Sequence, residues 1–240
     1  MVIVSITLLT IVAGGVGTLT GFGTSTIMVP VLLLFLPLPQ TLLLVGIVHW
    51  FGDIWKVVLF RSGLSWKLIL AFGLAGIVAS YLGARVVFAA PERLLSRILG
   101  GFLLAYVVFL FAKPAFKVPG RTLTAMTGGA LSGFLAGIFG VGGAVRSAFL
   151  TAFDLPKAVY LSTAGAIALF IDTTRIATYL LNDVRLEPQY AWGFVLFVPA
   201  SFLGAGIAKR MVDRIPQKRF RLIVAAFLFL AGLKLLLFPG

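Results

Sequence analysis

The sequence has no cysteine, a single histidine and very few acidic residues. Without cysteine the chain can form no disulfide, thiolate metal site or cysteine nucleophile. Charged residues occupy only 11% of the 240 positions, whereas a soluble domain carries roughly 25%. No segment matches the G-x-x-x-x-G-K-[ST] phosphate loop. One histidine and no cysteine also argue against a metal site, so we expect neither a metal nor a cofactor.

Apolar residues dominate the composition. They make up 60% of the chain, the mean hydropathy is +1.12, and apolar runs of ~20 residues recur throughout, which is typical of membrane-spanning helices. The net charge of +13 would suggest nucleic acid in a soluble protein. Here the basic residues lie mostly between apolar runs, as in 113–121 and 209–221, where they contact anionic lipid headgroups. We therefore expect an all-α integral membrane protein that binds lipid and no nucleic acid.

Eight hydrophobic segments divide the chain. They lie near 2–36, 40–60, 66–89, 94–112, 122–152, 156–181, 189–208 and 221–238. The first lacks a basic region before its apolar run, so we interpret it as a retained membrane segment. The first and fifth are longer than the ~20 residues that span a bilayer, and both contain glycine clusters. We predict that they are broken or re-entrant at Gly21–Ser25 and at Gly140–Ala144.

The two halves of the sequence resemble each other. Asp53 and Lys56 recur 119 positions later as Asp172 and Arg175, and charged pairs of this kind are rare inside membrane segments. Near the end the shift becomes 121, where "SFLGA" at 201–205 matches "SYLGA" at 80–84. We predict two homologous four-segment repeats, residues 1–112 and 122–240, joined by a linker at 113–121.

Loop charges favour inverted repeats. If segments 1 and 5 re-enter, 12 loop Lys and Arg residues fall on one face and five on the other, whereas parallel repeats divide them 10 to 7. Cytoplasmic loops carry an excess of basic residues, so the larger asymmetry is preferred. Inverted repeats are also common in transporters. This arrangement places both termini outside.

The two glycine clusters are candidate anion sites. A helix that restarts after a glycine break presents unpaired N–H groups and a partial positive charge, which suits an anion. The alternative is close helix packing through small residues. The candidate substrate-binding residues are Gly21, Gly23, Thr24, Ser25, Thr26, Gly140, Gly142, Gly143 and Arg146.

Charged residues inside the membrane form a second candidate group. Arg146 suits an oxyanion or a structural carboxylate such as Asp53 or Asp172. The i,i+3 spacing of Asp53 with Lys56 and of Asp172 with Arg175 predicts local ion pairs or a substrate or proton path. His49 lies one turn from Asp53 and is the one histidine of the sequence, and a free histidine side chain titrates near neutral pH. The candidate coupling or charge-pair residues are therefore His49, Asp53, Lys56, Asp172 and Arg175.

A family resemblance lies at these residues. "GTLTGFGTSTIMVPVLL" (17–33) and "LSGFLAGIFGVGGAV" (131–145) resemble the paired glycine signatures of the sulfite exporter TauE/SafE family. The resemblance implies two repeated halves and export of small sulfur-containing anions such as sulfite or sulfoacetate. Pro30 closes the first copy of the motif, and Phe149 stands at the equivalent place in the second.

We therefore expect a transporter, not an enzyme, in the cell (plasma or inner) membrane of a prokaryote. Its partners would be a small anionic substrate, protons or another coupling ion, and membrane lipid, and alternating access would explain the repeats and broken helices. One alternative is a channel-like passive anion pore. The other is an intramembrane aspartyl protease built on Asp53 and Asp172, although their basic i+3 neighbours oppose the sharing of a proton between two carboxylates.

Overall fold

The computed structural model describes residues 2–20, 23–60, 63–112, 118–211 and 217–239. Residue 20 and residues 217–224 are described by their backbone only. Of the predicted features, Gly21 and positions 113–117 of the linker lie outside the described residues. The described residues contain no strand.

Ten α-helices, with one short 3-10 turn at Thr151–Phe153, make up this part of the chain. The helices are α1 (Val2–Thr20), α2 (Ser25–Leu32), α3 (Leu38–Leu59), α4 (Trp66–Ala89), α5 (Glu92–Ala112), α6 (Thr122–Phe139), α7 (Gly142–Leu150), α8 (Lys157–Leu181), α9 (Pro188–Met211) and α10 (Gln217–Leu237).

Most of these helices match the length and composition of membrane spans. Among the described residues, α1, α3, α4, α5, α6, α8 and α9 are long and apolar enough to cross a bilayer, and α10 contains a shorter apolar stretch at Ala225–Leu237. Large apolar side chains such as Leu74, Val195 and Trp192 are exposed on the outside of the bundle, as contact with lipid requires. The helical membrane class expected from the composition is confirmed.

The short helices α2 and α7 each pack antiparallel to the helix before them. Gly17 of α1 lies against Gly23, and Thr10, two turns earlier in α1, contacts Met28 of α2. The two helices therefore run in opposite directions. In the second half, Gly142 packs on Ala136, and Gly128 packs on Phe149. The α1–α2 and α6–α7 units are therefore helical hairpins.

Glycines bring two pairs of long helices into backbone contact. A Cβ added at Gly83, Gly133 or Gly137 would overlap a backbone carbonyl oxygen across the α4–α6 contact. A Cβ added at Gly204 of α9 would crowd the Ile11 carbonyl of α1 in the same way. Small residues allow this close approach in membrane bundles. Each tight pair joins one helix from the first half of the chain with one from the second.

Helices α3 and α8 cross at the centre of the molecule. Gly46 lies against Ile176, whereas Gly165 lies against Lys56, so the two helices run antiparallel. This crossing places the middle of α3 against the middle of α8. The charged residues of both helices therefore meet inside the protein.

Candidate functional site

Two ion pairs lie at the α3–α8 crossing. Lys56 Nζ is 2.7 Å from Asp53 Oδ1, and Arg175 Nε is 2.7 Å from Asp172 Oδ1. All four side chains are at most 3% exposed. The pairs follow the i,i+3 spacing, which places both partners on one helix face. Each helix thus carries its own neutralised carboxylate into the interior.

His49 connects the two pairs across the crossing. Its Nδ1 lies 2.6 Å from Asp172 Oδ2 and 3.6 Å from Asp53 Oδ2. An ionised carboxylate only accepts hydrogen bonds, so Nδ1 carries the hydrogen. The other ring nitrogen, Nε2, is buried and has no hydrogen-bond partner. The five predicted coupling or charge-pair residues therefore form one contiguous cluster.

The turn between α1 and α2 lies directly on this histidine. Gly23 has a φ of +85°, a conformation that only glycine adopts readily. A Cβ at Gly23 would overlap His49 Nε2, so the missing side chain makes room for the imidazole. Beyond it Thr24, Ser25 and Thr26 are all buried, and Ser25 Oγ has no hydrogen-bond partner.

Gly140, in the turn between α6 and α7, lies beside Arg175 of the charged cluster. Gly140 ends α6 with a φ of +70°, and a Cβ there would lie 3.4 Å from Arg175 Nη1 and 3.1 Å from Val29 Cγ2 of α2. Arg175 Nη1 also donates to the Leu42 carbonyl at 3.4 Å. Its Nη2 is buried without a partner. The beginnings of α2 and α7 thus flank the charged cluster, one at His49 and the other at Arg175.

Gly142 of the second cluster allows close packing of α7 on α6. A Cβ at Gly142 would overlap the Ser132 carbonyl oxygen of α6. Gly143 is buried beside it. A larger residue at Gly142 would therefore separate α7 from α6, and such a variant would test assembly more directly than ligand binding.

Arg146 is buried but does not join the ion-pair cluster. It is 2% exposed, and its Nε has no hydrogen-bond partner. Within the described chain neither Asp53 nor Asp172 pairs with it, since their carboxylates contact Lys56, Arg175 and His49. The described residues therefore do not show the alternative in which Arg146 pairs with one of these aspartates. An arginine at this depth requires another polar or anionic partner.

Sequence reasoning missed one contact beside the cluster. Trp50 Nε1 donates to Thr173 Oγ1 at 2.9 Å. These residues directly follow His49 and Asp172, so their adjacency in sequence was the available signal. The bond adds a second link between α3 and α8.

The ion pairs of the cluster oppose binding of a metal ion by its histidine and its two aspartates. His49, Asp53 and Asp172 place one potential ligand atom each within 4.8 Å of one another. A divalent ion, however, would have to compete with Lys56 and Arg175, which already lie 2.7 Å from the two carboxylates. Oxygen-rich sites for hard cations carry uncompensated carboxylates. We therefore do not assign these residues as metal ligands.

The chain matches one family model. The model is that of the sulfite exporter TauE/SafE family, and the match extends over residues 6–235. It therefore includes both hairpins and the α3–α8 crossing. No curated protein sequence matches the chain significantly.

Proposed function

Because the chain belongs to the sulfite exporter TauE/SafE family, we propose that it moves a small sulfur-containing anion, such as sulfite or sulfoacetate, by alternating access. The family and the apolar helices make it an integral membrane protein of the anion-exporter type. The membrane we propose is the cell membrane of a prokaryote. The partners we propose are the anion, lipid and a coupling ion.

One observation carries the proposal: of the six buried side-chain atoms without a hydrogen-bond partner among the described residues, the three that can donate lie at or beside the beginnings of α2 and α7. They are Ser25 Oγ on α2, Arg175 Nη2 beside the α6–α7 turn and Arg146 Nε on α7. An unpaired buried donor destabilises a protein by about 1–3 kcal/mol. An oxyanion would satisfy such donors together with the free amides of a helix's first turn. These unpaired groups therefore favour a ligand that is an anion.

The proposed substrate site follows from this placement. It comprises the two hairpin turns and the first turns of α2 and α7, with Arg146 as an additional cation. The proposed residues are Gly23, Thr24, Ser25, Thr26, Gly140, Gly142, Gly143 and Arg146, together with Gly21, which the sequence motif alone contributes because it lies outside the described residues. The amides near the turns bind the anion without adding a full charge to the membrane.

We also propose that residues 1–112 and 122–240 are inverted repeats with re-entrant hairpins. Two observations support this. The equivalent helices α3 and α8 cross antiparallel, and the equivalent helices α5 and α10 do so as well, since Gly100 lies at Leu236 and Leu104 lies at Gly232. A two-fold axis that relates antiparallel helices is perpendicular to them. For membrane-spanning helices such an axis lies in the membrane plane, as it does in inverted transporter repeats.

The ion pairs argue against the protease alternative. Two aspartates that share a proton must lose one negative charge between them. Asp53 and Asp172 instead each hold a cationic partner at 2.7 Å, which is the geometry of two separate ion pairs and not of two carboxyl groups that share a proton. A passive anion pore would use the same residues as a carrier. Transport kinetics therefore has to distinguish these two alternatives.

The test is flux into proteoliposomes, with sulfite, sulfoacetate and sulfate as probes. We expect saturable uptake of at least one oxyanion and counterflow against the unlabelled anion, which a carrier shows and a pore does not. Ser25→Ala removes one buried donor, and losing a hydrogen bond to a charged group, worth about 1.5–3 kcal/mol, should raise the half-saturating concentration at least ~10-fold. Ser96→Ala is the matched control, because Ser96 is equally buried on α5. Absence of flux for every probe, or equal behaviour of the two variants, would contradict the proposal.

A further inference from the structure

We propose that His49 Nε2 is a proton-binding site and that one proton binds there together with each anion at the beginning of α2. This inference rests on the proposed anion transport and specifies its coupling ion. The proton comes from water on the side to which the site is open and returns to water on the other side. No other bond is made or broken.

The tautomer of His49 leaves a basic nitrogen free. Nδ1 donates its hydrogen to Asp172 at 2.6 Å, so in the neutral ring Nε2 carries only a lone pair. That lone pair is buried, has no partner and faces the backbone of Gly23. Protonation converts Nε2 from an unsatisfied acceptor into a donor directed at the hairpin turn. A buried donor in this position needs an acceptor, and an anion at the beginning of α2 supplies one.

The charge balance of the cluster links the two ligands. With His49 neutral, the two carboxylates and the two cations of the cluster cancel. A proton at His49 adds one positive charge to a group of side chains that are at most 3% exposed. A buried unbalanced charge is strongly unfavourable. One anionic group beside His49 offsets this positive charge, so each ligand stabilises binding of the other.

The groups around His49 leave it as the one side chain suited to this role. Its own helix presents Asp53 and Lys56, and α8 presents Asp172 and Arg175. Helices α1 and α2 contain no titratable side chain, and those of α9 lie near its two ends. Of the groups in the cluster, only histidine has an ordinary pKa near neutral pH.

His49 also breaks the symmetry of the repeats. Asp53 and Lys56 have charged counterparts 119 residues later, but the counterpart of His49 is Ala168. The two ion pairs are thus a symmetric, neutral framework to which one titratable group has been added. A single histidine gives a stoichiometry of one proton per transport cycle.

Proteoliposomes that enclose a pH-sensitive dye test the inference. Sulfoacetate is the probe, because both its acid groups stay ionised between about pH 6 and pH 8, the range in which histidine titrates. We expect wild-type uptake of sulfoacetate to acidify the lumen with about one proton per anion. The apparent affinity should fall as the pH rises, because only protein with a protonated His49 binds the anion.

The variant His49→Gln retains a hydrogen bond to Asp172 but cannot gain a proton. We expect weaker sulfoacetate uptake without proton movement and without dependence on pH. Trp50→Phe is the matched control, since it removes only the bond to Thr173 from the same helix crossing, and it should retain proton movement. Size-exclusion chromatography verifies that each variant is folded.

The outcomes separate the two proposals. Wild-type uptake of sulfoacetate with an unchanged lumen pH would overturn proton coupling and leave anion transport intact. Proton movement that persists in His49→Gln would also overturn it. Absence of sulfoacetate, sulfite and sulfate uptake by the wild type would overturn anion transport and this inference with it. If His49→Gln does not fold, the wild-type proton count alone decides.

Discussion

At the scale of single residues, spacing predicts local contacts and misses those between the halves. The pairing of Asp53 with Lys56 follows from their i,i+3 separation, because helix geometry fixes that distance. The bond from His49 to Asp172 joins residues 123 positions apart and depends on how α3 crosses α8. No periodicity encodes that crossing, so the sequence predicts the members of the cluster but not its link.

Asp53→Asn should destabilise the protein strongly. Lys56 would remain buried without its carboxylate, and breaking a buried ion pair by removing one partner costs about 3–5 kcal/mol. Thermal unfolding in detergent, followed by tryptophan fluorescence, measures the loss. Asp183→Asn is the control, because Asp183 is 89% exposed in its pair with Arg185 and exposed pairs contribute about 0–1 kcal/mol.

A double variant separates stability from transport. Asp53→Asn combined with Lys56→Gln removes both charges, so unfolding should return towards the wild-type temperature. Transport should remain impaired, because a protonated His49 would keep Asp172 but lose its second carboxylate, that of Asp53, 3.6 Å from Nδ1. A single Asp53→Asn variant as stable as wild type would contradict a buried pair at this place.

At the scale of elements, the positions of the apolar segments can be predicted from the sequence. The reversal of the first and fifth segments into helical hairpins cannot. An overlong segment with a glycine cluster indicates an interruption, but it does not indicate whether the chain continues or reverses. The α1–α2 and α6–α7 hairpins depend on side-chain contacts such as Thr10 with Met28. Helix α1 also packs against α9, a partner from the other half of the chain that a single segment cannot specify.

The turn of the α1–α2 hairpin provides an element-scale prediction. Gly23→Ala imposes a positive φ on alanine, which destabilises by about 1–2 kcal/mol, and its Cβ would also displace His49. Gly63→Ala is the matched control, since Gly63 has a φ of +120° with nothing within 4 Å of an added Cβ. We expect Gly23→Ala to lose more thermal stability than Gly63→Ala and to lose proton movement with sulfoacetate. Equal effects of the two variants would refute a specific contact between Gly23 and His49.

At the scale of the whole molecule, the unequal distribution of loop Lys and Arg residues predicts on which side of the membrane each loop lies. The positive-inside rule gives an orientation without any contact information, whereas the positions of the helices relative to one another come only from packing. Glycine spacing signals that close packing exists and does not name the partner helix. For this reason the pairing of α4 with α6 could not be predicted.

Cysteine labelling tests the orientation, and the absence of native cysteine provides an unlabelled background. In inverted repeats Pro91→Cys and Asp183→Cys lie on the same outer face, so a membrane-impermeant maleimide should label both in intact cells. Trp66→Cys and Pro119→Cys should react only after permeabilisation. Parallel repeats would place positions 91 and 183 on opposite faces, and labelling of only one of them would support that arrangement.

The exchange of helices between the halves has a consequence for the history of the chain. Helix α4 packs backbone to backbone on α6, and α1 does so on α9, so neither half closes its own core. If the proposed inverted repeats descend from one ancestral half, that half would have needed a second, oppositely oriented copy to cover its core. On this proposal, joining two such copies in one chain would have given each a permanent partner and allowed the two to diverge. The contrast between His49 and Ala168 is a change that such a dimer of identical subunits could not have made on one side alone.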